Sequence, residues 1–219
     1  MKTAFRFSYL VFSVILLALL VFPTGQANAA QAASVSLVFR SIGANDGTVV
    51  ESAELSGIGG AMNATAATFN LGDDASDRQS RAILHFNTSS IPDGATITSV
   101  KLKIKRQGLV GTNPFTTHGK LVLDMRKPFF GVGAVLAAAD FQAGAVAPAG
   151  KLNAGQFSST PVSGGKAYQA TLPASSFQFI NKTGTTQFRL RFTLDDNDDN
   201  SADVMMFFSG NSILSERPE

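Results

Sequence analysis

Four aspartates fall within five residues at Asp195, Asp196, Asp198 and Asp199, broken only by Asn197 and followed by Asn200 and Asp203. Like charges at that density repel one another unless a cation or several hydrogen bonds compensate. Hard oxygen donors of this kind suit Ca²⁺, which takes about six to eight of them. A second acidic stretch, Asp73, Asp74 and Asp77, lies far upstream. Asp195, Asp196, Asp198, Asp199, Asp73 and Asp74 therefore form a candidate ligand set for a structural Ca²⁺, provided the fold brings the two stretches to one end. The competing reading is a pair of solvated acidic turns. An EF-hand is excluded: counted from Asp195 or Asp196, the glycine position holds Asn200 or Ser201, and no Glu closes the loop.

The residues of acid–base and nucleophilic catalysis are sparse. The chain has no Cys and two His, His85 and His118. It carries no Gly-x-Ser-x-Gly elbow and too few His and Cys for the usual zinc ligand sets. Paired carboxylates of the kind used in glycoside hydrolysis occur mainly in the acidic stretches, where no apolar pocket is evident to raise an acid's pKa. No catalytic residue is assigned. Sugar binding would need aromatic platforms, and Trp is absent. Tyr168 and Phe115 are the candidate ligand-binding residues, with the Phe129-Phe130 pair behind them. For the phenylalanines, burial as core anchors is the alternative.

These residues need a scaffold, and its beginning is legible. Lys2 and Arg6 precede an apolar run over residues 10–22, and Ala27-Asn28-Ala29 supplies a small-x-small cleavage pattern. Residues 1–29 therefore read as a bacterial-type signal peptide, and residues 30–219 as a single exported domain with no membrane span after cleavage. Of 18 basic residues, Lys2 and Arg6 leave with the leader; the remainder balances the 16 acidic ones. A formally neutral domain argues against nucleic acid as a partner. With no Cys to form disulfides, the domain must rely on a core to which 14 of its 18 Phe remain available.

Period-two alternation runs through the domain. Residues 96–105 set Val100, Leu102 and Ile104 against Lys101, Lys103 and Lys105, and residues 188–194 set Phe188, Leu190, Phe192 and Leu194 against Arg189 and Arg191. Ala82, Leu84 and Phe86 mark a third strand; Leu121, Leu123 and Met125 mark a fourth. Weaker candidates span residues 35–39, 48–52, 168–172 and 204–208. Gly- and Pro-bearing turns separate them, and the Ala/Gly-rich residues 131–150 read as a long crossover. Helical turns are expected within residues 135–141 and 173–181. The pattern predicts an all-β fold, an antiparallel β-sandwich or jelly roll of about eight short strands.

The segment from Gly72-Asp73-Asp74 through Arg78-Gln79-Ser80-Arg81 into AILHFNTSSIPDGATITSVKLKIKR resembles the DNRLRE domain family. Residues 110–127 and 185–218 are similar to later parts of it, so the resemblance spans nearly all of the mature chain. It implies an extracellular module akin to carbohydrate-binding modules, with polysaccharide or cell-surface glycan as partner. Such jelly-roll modules often hold a structural calcium. Family members continue past the Arg-Pro with one more strand, whereas this sequence stops at Glu219. That departure implies either a fragment or an open sheet edge that accepts a strand from an exchange partner. The expected function is a secreted, non-catalytic glycan-binding or adhesion module. A structural cell-wall domain and a glycoside-active enzyme are the alternatives.

Overall fold

Successive side chains of a strand point to opposite faces, so strands that alternate apolar and polar residues must line one common interior. The computed structural model, which describes residues 34–145 and 154–219, realises this as a single antiparallel sheet of ten strands. They are β1 (Gly47–Glu51), β2 (Gly59–Asn63), β3 (Thr68–Asp73), β4 (Gln79–Asn87), β5 (Lys101–Val110), β6 (Leu121–Arg126), β7 (Gly155–Gln156), β8 (Ala167–Thr171), β9 (Thr185–Phe192) and β10 (Asp203–Phe208). The main path runs β7-β6-β9-β4-β3-β10-β5-β8, and β1 branches from β4 carrying β2 on its other side. A bridge between Phe157, just after β7, and Ala170 of β8 brings the two ends of the path together. The fold is all-β, and its sheet is nearly closed on itself. Leu37–Glu219 form one compact unit. The expected leader, and residues 146–150 of the expected crossover, lie outside the described residues. No helix among the described residues is long and apolar enough to cross a membrane.

The interior follows the alternation. Ala82, Leu84 and Phe86 of β4, Leu102 and Ile104 of β5, Leu121, Leu123 and Met125 of β6, and Phe188, Leu190 and Phe192 of β9 join one buried cluster with Phe69, Tyr168 and Phe207. Each large side chain so buried contributes roughly 2 kcal/mol of transfer free energy. A short helix, α1 (Pro114–Thr117), carries Phe115, which stacks on Tyr168 at 5.4 Å and meets Phe192 edge-on at 5.2 Å. Phe115 thus joins β8 to β9.

Four expectations are corrected. Residues 35–39 form no strand. Leu194, placed inward by its register, lies past the end of β9 and is exposed. The strand expected from residue 96 starts at Lys101 and runs on to Val110. The outward face of β9 is not open to water, because residues 128–145 fold back over it. A second buried cluster of Val49, Ile83, Phe130, Leu136 and Phe141 forms beneath them. The expected helical turns are present as 3-10 turns at Ala138–Phe141 and Ala174–Phe179. At the C-terminus, the backbone of Glu219 exchanges hydrogen bonds with Lys103 of β5 at 2.6 and 2.9 Å.

Candidate functional site

One end of the barrel gathers three titratable side chains from distant parts of the chain. β3 ends at Asp73 and β10 begins at Asp203; the two residues are partners in the antiparallel register. Their close approach depends on glycine. At Gly72 (φ +117°) a Cβ would stand 1.9 Å from the carbonyl oxygen of Asp203, and at Gly111 (φ +68°) one would stand 2.0 Å from that of Ala202. The third residue, His118, follows α1, whose first turn is capped by the side chain of Asn113 accepting the Phe115 N–H at 3.1 Å. The His118 backbone then donates to Pro114 at 2.7 Å and accepts from Leu194 at 3.1 Å, which fixes the imidazole against the sheet.

Asp73, His118 and Asp203 each bring one donor atom to within 4.8 Å of the other two, and all three are buried. His118 Nε2 lies 3.1 Å from Asp73 Oδ1, yet not along a hydrogen-bond direction. Its other nitrogen, Nδ1, is 2.7 Å from Thr117 Oγ1. Asp203 Oδ1 accepts the Thr112 N–H at 2.6 Å, and Oδ2 accepts from Asn197 Nδ2 at 3.3 Å and Thr117 Oγ1 at 3.4 Å. Asp73 Oδ1 accepts the Asp203 N–H at 3.2 Å, while Asp73 Oδ2 has no hydrogen-bond partner among the described residues. Burial pushes the Asp73 carboxyl above the ordinary carboxylate range against the opposing pull of His118.

The two acidic stretches do meet, since Asn200 N–H donates to Asp77 Oδ1 at 3.1 Å. Their carboxylates are nevertheless divided among separate tasks. Asp73 turns inward to His118. Asp74 pairs with Arg78 at 2.6 Å and caps its own turn by accepting from Ser76 and Arg78 backbone N–H groups. Asp195 and Asp196 are half-buried, whereas Asp198 and Asp199 are exposed. Burial, with the charges of Asp195, Asp198 and Asp77, pushes Asp196 up to about 6. Of the six aspartates singled out in the sequence, only Asp73 belongs to the tight cluster. His118 is fully buried beside two carboxylates. The expectation for Tyr168 is corrected: it is 2% exposed and presents no face to a ring from solvent, while Phe115 is half-buried and stacks on it. Phe130 is likewise buried, under the guanidinium of Arg189.

A different feature opens on the outer face. Arg81 of β4, Asp124 of β6, and Arg189 and Arg191 of β9 line a groove of about 350 Å³ with residues 142–145 of the crossover. Three guanidinium groups there confront one carboxylate. Arg189 binds Asp124 Oδ2 through Nε (3.0 Å) and Nη2 (2.7 Å), and Arg191 Nε reaches the same oxygen at 3.3 Å. Arg81 lies 3.8 Å above the ring of Phe141. Burial, then the charges of Arg189 and Arg191, lowers Arg81 to about 10. The groove is an electropositive recess on a neutral domain. No alternation argument could find it, because its members sit on three strands that become neighbours only through pairing.

No protein-family model matches the chain. No curated protein matches it either.

Proposed function

We propose that the protein is an exported, non-catalytic binding module and that its partner is an acidic polysaccharide held in the groove over Arg81, Arg189 and Arg191. The signal-peptide pattern and the resemblance noted in the sequence support the exported, glycan-binding reading. The groove narrows the class of glycan. One observation carries that step: Arg81, Arg189 and Arg191 line one recess in which Asp124 is the only carboxylate, and Asp124 pairs with Arg189 and Arg191 alone. Guanidinium groups match carboxylate and sulfate geometry through paired N–H donors, and a recess of low dielectric strengthens such contacts. Tyr168, buried in the core, offers no aromatic platform of the kind that neutral sugars favour.

The test is affinity electrophoresis and calorimetry against a polyuronate and a neutral glucan. The polyuronate should retard the protein with an affinity that falls steeply with added salt. Arg191→Gln should weaken binding about tenfold, the loss of one charge-assisted contact. Equal retention by the neutral glucan, or indifference to Arg191→Gln, would contradict this reading. The calcium expectation for Asp195, Asp196, Asp198, Asp199, Asp73 and Asp74 is a separate proposal.

A further inference from the structure

We propose that Asp73, His118 and Asp203 form a binding site for a divalent first-row transition ion of the zinc type, which clamps the ends of β3, α1 and β10 together. The cluster is buried, and two of its donor atoms, Asp73 Oδ2 and His118 Nε2, lack hydrogen-bond partners among the described residues. Buried polar atoms are almost always satisfied, so two such atoms on adjacent side chains call for a missing partner. The 3.1 Å between His118 Nε2 and Asp73 Oδ1 is too misaligned for a hydrogen bond. It is the spacing expected of two ligands that each stand about 2.1 Å from one ion.

The chemistry of the set selects the class of ion. Two carboxylates balance a divalent charge when the imidazole is neutral, so a bound cation would let both stay ionised in the interior. An imidazole nitrogen suits zinc and its neighbours and is a poor ligand for Ca²⁺, which takes oxygen. Thr117 Oγ1, 2.7 Å from His118 Nδ1, completes the pattern in which the far ring nitrogen of a ligating histidine is held by an outer partner. If Nδ1–H donates to that hydroxyl, the Nε2 lone pair faces Asp73. The three ligands come from segments that no disulfide joins, because the chain has no Cys.

Calorimetry and thermal melts of the metal-stripped chain test this. One equivalent of Zn²⁺ should bind and raise the Tm by roughly 5 °C, with Ca²⁺ at the same concentration giving a much smaller shift. His118→Gln and Asp203→Asn should each abolish the Zn²⁺ shift, and His85→Gln should retain it. The chain has two His, so imidazole NMR of the unmodified protein reads the same point without any variant. Zn²⁺ should move the His118 resonances and leave those of His85 in place. An unmoved His118 signal, or a Zn²⁺ shift that survives in folded His118→Gln, overturns the proposal. The latter result would place the ion on the exposed acidic loop.

Discussion

Arg189 occupies a position where the alternation of β9 points a side chain away from the core, and sequence reasoning therefore places it at the surface. It is 6% exposed. Its Nε and Nη2 hold Asp124, and its Nη1 donates to the carbonyls of Asp140, Phe141 and Ala143 at 3.0, 3.0 and 2.8 Å. One guanidinium thus satisfies backbone groups of a crossover segment that has no strand partner of its own. Gln187, two residues earlier, does the same: its Oε1 accepts the Phe130 N–H at 2.8 Å, and its Nε2 donates to Ala134 at 3.1 Å. Lysine cannot replace the fork, since three donors on one nitrogen cannot reach Asp124 and three carbonyls at once. Arg189→Lys should cost about 3 kcal/mol in urea unfolding, because a buried carboxylate and several carbonyls lose partners together. Hydrogen exchange should show the loss concentrated in residues 130–145. A cost below about 1 kcal/mol would mean the crossover is held by its apolar cluster alone.

At the scale of elements, the β3–β10 pair decides whether the buried Asp73–His118–Asp203 cluster exists. Its register sets Gly72 opposite Val204 and Asp73 opposite Asp203. Gly72→Ala would force a Cβ into the Asp203 carbonyl from a backbone conformation that L-residues avoid. We expect a loss of about 2–3 kcal/mol in thermal or chemical unfolding. The same variant should lose any Zn²⁺-dependent rise in Tm, because Asp203 must move. β4, β5, β6 and β9 were legible because each alternates over three or more apolar positions, so burial on one face is written into the residues. β2 and β3 were not. Gly59-Gly60-Ala61-Met62-Asn63 has almost nothing to bury, and Thr68-Phe69-Asn70-Leu71 offers only two apolar residues before the acidic turn. Leu194 misled because alternation continues in sequence past the point where pairing stops. The acidic stretches announced themselves by charge density. The role of His118 was hidden, because its carboxylate neighbours come from opposite ends of the domain and only strand pairing unites them.

The whole molecule carries a pH dependence whose sign follows from its buried acids. Asp46 accepts the backbone N–H groups of His85 at 2.6 Å and Gly210 at 3.1 Å, tying the β1 entry to β4 and to the segment after β10. Burial outweighs those hydrogen bonds and pushes its carboxyl up to about 7, while Asp196 is raised to about 6. A carboxyl raised on folding binds its proton more tightly in the native state than in the unfolded one. Its contribution to stability is therefore full below about pH 4 and is lost as the pH climbs through 6 to 7. Three other groups act oppositely. Asp74 and Glu219 are lowered in spite of their partial burial, by hydrogen bonds from the Arg78 and Lys103 side chains respectively, so their stabilisation disappears as acid protonates them. His85 is lowered by burial and opposes acidification below its ordinary range. These effects mask one another in a single melting curve, but Asp46→Asn removes one raised acid alone. Between pH 5 and pH 8 the Tm of Asp46→Asn should fall less than that of the unmodified chain, with the two curves closest at the acid side and separating toward the alkaline side. Parallel curves across that range would show that Asp46 titrates in the folded protein as it does in the unfolded one, and that its burial carries no charge penalty.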